Sequence, residues 1–541
     1  MGIYLNKGNG MLREALNGQI YVDKSMLIRV CNSKIKTPDK FMAVSRPRRF
    51  GKSMAANMLV AYYSKGCDSK ELFSSLKISK DESFEKHLNK YNVLHLTMTE
   101  FTEYGVDKAF DYIKAVLLDD IEEEYPDIKI NSAFSLDLIF GKLYQKTQIP
   151  FIFIIDEWDA FMRAEGRSES EKRQYLDFLR NLLKDREYVA LCYMTGILPI
   201  KKYGEHSAIN MFTEYSMEHQ WDLAEFTGFT EQEVEELCAK NAMSFEKIKN
   251  WYNGYVLKIP DLEKRTPERD VYKGIRIYNP CSVVKAMQFN DIRNYWSKTE
   301  TFKALKAPIN MNLEGLKEAI ELMMAGENIP VDMRIFQNDF ALVDSAQAAL
   351  GMLVHLGYLS FDCEFKTAHV PNLEVNEEFV TCIKDEPKWA PVMNAINLSE
   401  KCLKATLAGD GETIAQIIEK VHRENTSIIK YNDENSLSCI VGLSYFTAKN
   451  RYHILREYPA GNGYADLVFI PRKTESLPAI VVELKRDKDA SIAIDQIKSK
   501  KYSESLEEYS GEIILVGVNY ISDTKDENYK KHSCKIERMV K

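Results

Sequence analysis

Hydrophobic and polar positions follow an alternating strand and helix pattern over residues 41–200. Short apolar runs rich in β-branched and aromatic residues are Phe41–Val44, Asn92–Met98, Pro150–Ile155 and Glu187–Thr195. Helix-like segments such as Ser53–Tyr63 and Glu169–Leu183 lie between them. Continuous apolar strands that alternate with helices are typical of a parallel sheet with both faces covered. We therefore predict an N-terminal α/β domain.

The pattern becomes mainly helical after residue 226. Residues 230–233, TEQE, form a capping box that predicts the start of a helix. The pattern stays helical to about residue 360 and includes a strongly apolar helix over Ala341–Leu359. A loop-like stretch follows, and residues 391–424 then predict two helices separated by Gly409-Asp410-Gly411.

The C-terminal segment changes character again. We predict a helix at about 434–448, strands over Tyr464–Ile470 and Ala479–Leu484, a helix at about 491–507, and a strand over Glu512–Val518. The order is α-β-β-α-β. The chain is thus predicted to divide into residues 1–225 (nucleotide-binding α/β domain), 226–385 (mainly helical region), 386–429 (helical linker) and 430–541 (a second α/β domain).

Composition and charge narrow the classes of function. A length of 541 residues suggests roughly three or four domains. The net charge of −8 repels nucleic acid, so any nucleic-acid contact requires a local basic patch. The ten cysteines lack CxxC and zinc-ligand spacings, and the start of the chain has no secretory pattern. The longest apolar stretches are too short to span a bilayer. We expect a cytoplasmic protein without membrane contact.

A phosphate-binding loop is predicted between the first strand and the helix that follows it. Gly51 lets backbone N–H groups approach phosphates, Lys52 reaches the β and γ oxygens, and Ser53 offers a hydroxyl to Mg²⁺. Arg49 and Phe50 complete this nucleotide-binding set. The Walker A pattern has glycine five residues before Gly51, where this chain has Arg46. A basic turn before a helix is the alternative explanation of the tripeptide alone.

Two further strand ends strengthen the nucleotide-site hypothesis. The apolar run over Phe151–Ile155 ends in Asp156 and Glu157, as Walker B strands do. Asp156 would hold Mg²⁺ and Glu157 would polarise the attacking water. Thr195 ends the next strand, where a polar side chain would lie beside the γ-phosphate. The alternatives are a strand ending in a solvated turn and a threonine without a role in the site.

These motifs together resemble the bacterial AAA-ATPase-like family. The residues that carry the resemblance are YVDK (21–24), RPRRFGKS (46–53), IIDEWD (154–159), TGILPI (195–200), YNP (278–280) and YW (295–296). In that family RPRRFGKS replaces the glycine-first loop, so Arg46 agrees with the family pattern. The resemblance covers roughly residues 5–300 and implies a P-loop fold that binds ATP and Mg²⁺. It leaves open whether the chain forms a homo-oligomer.

A second group of charged residues lies on the C-terminal strands. Glu483 and Lys485 are two apart and share one face of a strand, and Asp466 lies in the preceding strand. This is the D…ExK arrangement of the PD-(D/E)XK nuclease superfamily, which residues from about 430 to CKIE (534–537) resemble. The resemblance implies that Asp466 and Glu483 hold Mg²⁺ and that Lys485 stabilises developing charge. Glu434 matches the helical acid, and Gln496 matches a fourth position near Lys485.

The alternative is that Lys485 merely neutralises one carboxylate. Two carboxylates about 5 Å apart repel by about 3 kcal/mol at an effective dielectric of about 20, which one lysine does not offset together with their desolvation. A bound cation fits better. We therefore predict an ATP-binding and ATP-hydrolysing enzyme with a Mg²⁺-dependent nuclease-like domain, acting on DNA or RNA under the control of ATP. The alternative function is a nucleotide-dependent switch or scaffold whose C-terminal domain binds nucleic acid or a protein without cleaving.

Overall fold

The computed structural model describes residues 2–200, 209–219, 221–261, 263–264, 266, 271–296, 301–311, 313–336, 343–424, 434–460, 463–472, 477–500, 511–522 and 531–540. The chain forms two compact units. The first unit comprises residues 1–248, 252–295 and 330–368, and the second comprises 249–251, 296–329 and 369–541. The boundaries predicted at residues 225, 385 and 429 stay predictions.

The N-terminal part is built from nine helices and five strands within its described residues. Its helices are α1 (Gly10–Leu16), α2 (Leu27–Lys34), α3 (Lys52–Tyr63), α4 (Lys70–Phe73), α5 (Phe84–His87), α6 (Val106–Glu124), α7 (Leu136–Thr147), α8 (Ala160–Arg163) and α9 (Glu169–Leu183). Its strands are β1 (Phe41–Ser45), β2 (Asn92–Thr97), β3 (Phe151–Asp156), β4 (Val189–Gly196) and β5 (Thr213–Tyr215).

These five strands form one parallel sheet in the order β2-β3-β4-β1-β5. Side chains of β3 alternate between two apolar clusters, one on each face: Phe151, Phe153 and Ile155 belong to one, and Ile152 and Ile154 to the other. Burial on both faces explains why the strands are apolar throughout. The predicted parallel α/β fold is confirmed, with the P-loop between β1 and α3.

The middle of the chain combines helices with short strands. The helices are α10 (Glu231–Lys240), α11 (Phe245–Tyr252), α12 (Pro280–Phe289), α13 (Thr301–Asn310), α14 (Leu316–Ala325) and α15 (Ala346–Leu356). The strands are β6 (Phe229–Thr230), β7 (Tyr255–Pro260), β8 (Tyr272–Tyr278), β9 (Ile329–Pro330), β10 (Ser360–Asp362) and β11 (Thr367–His369). The predicted capping box is confirmed, since Thr230 accepts from the backbone of Glu233 and Glu233 accepts from that of Thr230. The antiparallel sheet β6-β8-β7 was not predicted.

The C-terminal part carries helices α16 (Leu373–Ile383), α17 (Ala390–Ala408), α18 (Gly411–Glu424), α19 (Glu434–Ser444) and α20 (Ala490–Ser499). Its strands are β12 (Tyr452–Ala460), β13 (Gly463–Pro471), β14 (Ala479–Arg486), β15 (Glu512–Tyr520) and β16 (His532–Val540). The two helices predicted over 391–424 and the α-β-β-α-β order are confirmed. Strands β12 and β16 were missed, and they form the two edges of the sheet β12-β13-β14-β15-β16.

This sheet is mixed, because β14 and β15 are parallel and the other neighbours are antiparallel. Ile480, Val482 and Leu484 of β14 pack with α17, α18 and α19, whereas Val481 packs with α20. Two-residue alternation therefore turns Glu483 towards the face that α20 covers. No helix within the described residues is long and apolar enough to cross a membrane.

Candidate functional site: a P-loop centre and a carboxylate–lysine centre

The P-loop curls around the side chain of Lys52. Gly51 has φ +83°, a left-handed conformation that glycine adopts without strain, and it stands at the N-cap of α3. The Lys52 Nζ donates to the carbonyl oxygens of Arg46 and Pro47, at 2.9 Å each. Ser53 is exposed in the first turn of α3. The loop thus presents a helix N-terminus and a hydroxyl where phosphate and Mg²⁺ would bind.

Three carboxylates lie close enough to Lys52 to affect the pKa of its ammonium group. Burial lowers the pKa of Lys52 to about 8, and the carboxylates of Asp159, Glu157 and Asp156 oppose that decrease. At pH 7 the ammonium group therefore remains mostly charged. The buried Lys52 ammonium group beside carboxylates fits a site that also binds phosphate and Mg²⁺, because opposite charges then lie next to each other.

Arg46 anchors the loop to the sheet. Its side chain is fully buried, and Nη1 donates to the backbone oxygens of Ser45 at 3.0 Å and Tyr215 at 3.2 Å. Burial lowers the pKa of this guanidinium to about 9. Arg46 holds the start of the loop against β5. The arginine at the position of the first Walker A glycine therefore positions the loop.

Asp156, Glu157 and Thr195 come together at the carboxyl edge of the sheet. Asp156 ends β3 and is 4% exposed, and its Oδ1 accepts from the Thr195 hydroxyl and from the Glu157 backbone N–H at 3.1 Å. Glu157 has φ +51°, a strained conformation for a residue other than glycine. The structure therefore gathers Lys52, Asp156, Glu157 and Thr195 in one place.

Asp159 and Arg163 lie close to Glu157 in the structure, and the sequence alone assigned neither of them a role. Asp159 is fully buried, and its Oδ2 accepts from the backbone N–H groups of Ile197 at 3.2 Å and Leu198 at 3.0 Å. Arg163 donates from Nε to the same Asp159 oxygen at 2.8 Å. A Cβ at Gly196 would lie 2.6 Å from Trp158 Nε1 and 2.8 Å from Asp159 Oδ1, so only glycine fits there. The signal available in the sequence was that Asp159 and Gly196 lie in the IIDEWD and TGILPI stretches that carry the family resemblance.

Arg49 and Phe50 contact Gly228, Tyr255 and Tyr295, which follow the sheet in the chain and belong to the same unit. The Arg49 Nη1 donates to the backbone oxygen of Tyr295 at 2.6 Å. The Phe50 ring packs edge-on against Tyr255 with centroids 5.3 Å apart, and its carbonyl accepts from the Gly228 N–H at 2.9 Å. These two predicted nucleotide-binding side chains connect the P-loop to the region that follows.

The C-terminal centre brings Asp466, Glu483, Lys485 and Gln496 together. The Lys485 Nζ lies 2.8 Å from Glu483 Oε1, to which the Gln496 side-chain amide also donates. The Asp466 Oδ2 accepts from the Leu484 backbone N–H at 2.7 Å. Glu434 begins α19, but its side chain lies outside the described residues.

The pKa of the Glu483 carboxyl is strongly raised in this centre. Burial and the nearby charge of Asp466 raise its pKa to about 7, against the opposing effects of Lys485 and Lys500. Its Oε2 is buried and has no hydrogen-bond partner among the described residues. One lysine thus does not balance the two carboxylates.

A divalent cation fits this centre chemically. An orphaned buried carboxylate oxygen beside a second carboxylate offers the hard oxygen ligands that Mg²⁺ prefers. Within the described part of the chain, no three His, Cys, Asp or Glu side chains are grouped as a ready metal site. Asp466 and Glu483 would therefore supply two ligands, and water would supply others, as is usual for Mg²⁺.

Comparison with known families supports both domain assignments. Residues 12–204 match the family model described as a predicted AAA-ATPase, and residues 432–529 match the model of the PD-(D/E)XK nuclease superfamily. The chain therefore combines an AAA-like ATPase domain with a nuclease-superfamily domain. Both predicted resemblances are confirmed.

A curated relative and several solved structures are also similar. A protein of Azotobacter chroococcum mcd 1, described as "Uncharacterized protein in vnfD 5'region", is 23% identical over 268 residues, which is 48% of this chain and 47% of that protein. The aligned region thus spans about half of each protein.

Among solved structures, the Aeropyrum pernix ORC2 protein (ADPNP-ADP complexes) is 12% identical, covers 67% of this chain and 94% of its own, and has a TM-score of 0.27. Cdc6p from Pyrobaculum aerophilum is 10% identical, covers 70% of this chain and 98% of its own, and has a TM-score of 0.24. With TM-scores this low, neither structure adds to the functional argument.

We expect Mg²⁺ binding at the C-terminal centre to depend on pH. A metal ligand must be deprotonated, and the pKa of Glu483 is raised to about 7. Protons therefore compete below that pH, and Mg²⁺ affinity should fall about tenfold per pH unit there and level off above it. Calorimetric titration of Mg²⁺ without nucleotide measures this, with the exposed-residue variant Asp495→Ala as control. A flat profile through pH 7 would contradict the assignment.

Proposed function

We propose that the N-terminal domain binds and hydrolyses Mg-ATP. The observation that carries this proposal is the convergence of Lys52, Asp156, Glu157 and Thr195 at the carboxyl edge of one parallel sheet. Ligands of open α/β sheets bind at that edge. The Lys52 ammonium group would meet the β- and γ-phosphates, and the N-terminus of α3 would add N–H donors.

The remaining residues have complementary roles in hydrolysis. Ser53 and Asp156 would hold Mg²⁺, which offsets the phosphate charge when bound. Glu157 orients and polarises the attacking water, and Thr195 donates towards the γ-phosphate or Asp156. Lys52 exchanges its present backbone acceptors, the carbonyls of Arg46 and Pro47, for phosphate oxygens on binding.

We propose that the C-terminal domain is a metal-dependent phosphodiesterase acting on nucleic acid. The unpartnered Glu483 Oε2 supports this proposal. It is a buried acceptor beside a second carboxylate, Asp466, and a bound metal ion would satisfy it. Asp466 and Glu483 would hold Mg²⁺, which supplies an activated water and neutralises phosphate charge. Lys485 would stabilise charge on the phosphate, and Gln496 fixes one oxygen of Glu483.

We further propose that nucleotide state controls cleavage through residues 296–329. Arg49 of the P-loop bonds to Tyr295, the residue immediately before that segment, within the first unit. Within the second unit, Lys449 and Arg456 donate to the backbone oxygens of Met324 and Ala325 at the end of α14.

Arg456 also places this path next to the metal centre. It pairs in register with Leu467, the neighbour of Asp466, so the contacts of α14 extend within the second unit to one of the two carboxylates. A shift of α14 would displace β12 first and Asp466 next. Nucleic acid should in turn change the affinity for ATP, because coupling between two sites is reciprocal.

Replacing Lys52 tests the ATP site. Lys52→Ala should abolish ATP binding, because the phosphates lose their main counter-ion, while Glu157→Gln should keep binding and lose turnover. Calorimetry and phosphate release measure the two effects. Lys70→Ala is the matched control, since Lys70 is an exposed lysine paired with Glu85. Equal ATP affinity in Lys52→Ala and wild type would disprove the site.

Replacing Asp466 tests the nuclease centre. Asp466→Ala should remove Mg²⁺-dependent cleavage of plasmid or single-stranded substrates and leave the fold intact, because it relieves carboxylate repulsion. Asp495→Ala, an exposed carboxylate on α20, should cleave normally. Cleavage at the wild-type rate by Asp466→Ala or in excess EDTA would show that these residues are misassigned. Absence of cleavage in the wild type would favour the switch or scaffold function.

A further inference from the structure

Arg163 lies between two carboxylates of the nucleotide site. Its side chain is 13% exposed, with Nε 2.8 Å from Asp159 Oδ2 and Nη2 3.4 Å from Glu157 Oε2. A guanidinium is planar and always charged, so it can hold two carboxylates at a fixed separation. Arg163 thus reaches the residue that would act on water in ATP hydrolysis.

Asp159 fixes Arg163 from the other side. Its carboxylate is fully buried and accepts from the N–H groups of Ile197 and Leu198 as well as from Arg163. Residues 197 and 198 directly follow Thr195 and Gly196 at the end of β4. The anchor of Arg163 is therefore part of the same rigid sheet edge that places Thr195.

Both charges act within the nucleotide site. Asp159 is the carboxylate with the largest effect in opposing the lowered pKa of Lys52, whereas the positive charge of Arg163 contributes to lowering it. These effects require that both side chains lie near the ammonium that would meet the phosphates. Glu157 Oε1, in contrast, has no hydrogen-bond partner among the described residues.

We propose that Arg163 is a positioning residue for ATP hydrolysis: it holds Glu157 Oε2 so that Oε1 faces the attacking water. The proposal rests on the proposed ATPase function. The water oxygen bonds to the γ-phosphorus while the bond to the β–γ bridging oxygen breaks. ADP leaves with that electron pair, and the water proton passes to the Glu157 carboxylate. A glutamate side chain without this contact would sample other rotamers, and misplacement by about 1 Å can cost about 100-fold in rate.

The test separates positioning from binding and from folding. Arg163→Ala should lower kcat for ATP about 10- to 100-fold with unchanged ATP affinity. Arg163→Lys should recover part of the rate, because an ammonium reaches one carboxylate but not both. Arg173→Ala, an exposed arginine on α9, is the control and should behave as wild type.

A double mutant gives the sharper result. If Arg163 acts through Glu157, then adding Arg163→Ala to Glu157→Gln should lower the residual rate of Glu157→Gln, measured in single-turnover experiments, no further. Unchanged or increased kcat in Arg163→Ala, a loss confined to ATP affinity, or additive losses in the double mutant would each overturn the proposal. If Arg163→Ala proves unstable on thermal melting, Arg163→Lys is judged by the same kcat and affinity criteria. Wild-type protein without ATPase activity would overturn the proposed function and this inference together.

Discussion

Buried carboxylates at the end of an apolar strand are the constraint on which the N-terminal site depends. Asp156 and Asp159 are almost fully removed from solvent, and an uncompensated buried charge costs several kcal/mol. The surrounding groups are arranged to compensate that charge. The Thr195 hydroxyl and the Glu157 N–H serve Asp156, whereas Arg163 and two backbone N–H groups serve Asp159. The same carboxylates favour the charged form of Lys52, and the backbone at Glu157 is strained. The groups that compensate the buried charges are therefore also those proposed to bind and hydrolyse ATP.

The C-terminal centre is also built around a buried carboxylate. Glu483 has Lys485 and Gln496 on one oxygen and no partner among the described residues on the other. Its pKa is raised to about 7, so near neutral pH a proton occupies this carboxyl about half of the time and competes there with a bound cation. Asp159 Oδ1 in the N-terminal cluster is likewise buried without a hydrogen-bond partner among the described residues, so each centre keeps a carboxylate oxygen that an added cation would neutralise.

The sequence predicted features that depend on local patterns. Strand β3 is apolar at five successive positions, and α10 starts at its capping box, so both were recognisable. Glu483 and Lys485 share a face because of two-residue alternation alone. Strand β8 was missed because it begins with exposed Tyr272, Lys273 and Gly274, which leave no apolar run.

Other features depend on pairing between distant residues. The edge strands β12 and β16 mix polar and apolar residues without a regular two-residue period, and they are defined by their pairing partners rather than by composition. Arg163 and Asp159 are spaced like an ordinary helical ion pair, and nothing local shows that the chain turns Glu157 back towards them. The bonds from Asp159 to residues 197 and 198 span nearly forty positions and arise only from the parallel sheet.

Control of cleavage by nucleotide is the central proposal, because both domains occur in one chain. Its most direct test is the cleavage rate measured without nucleotide, with ATP and with a non-hydrolysable ATP analogue, in wild type and in Lys52→Ala. Coupling free energies of about 1–3 kcal/mol correspond to rate differences of about 5- to 150-fold. We predict a difference of at least several-fold between nucleotide states in wild type and none in Lys52→Ala. Identical wild-type rates under all three conditions would contradict the account and leave two independent domains on one chain.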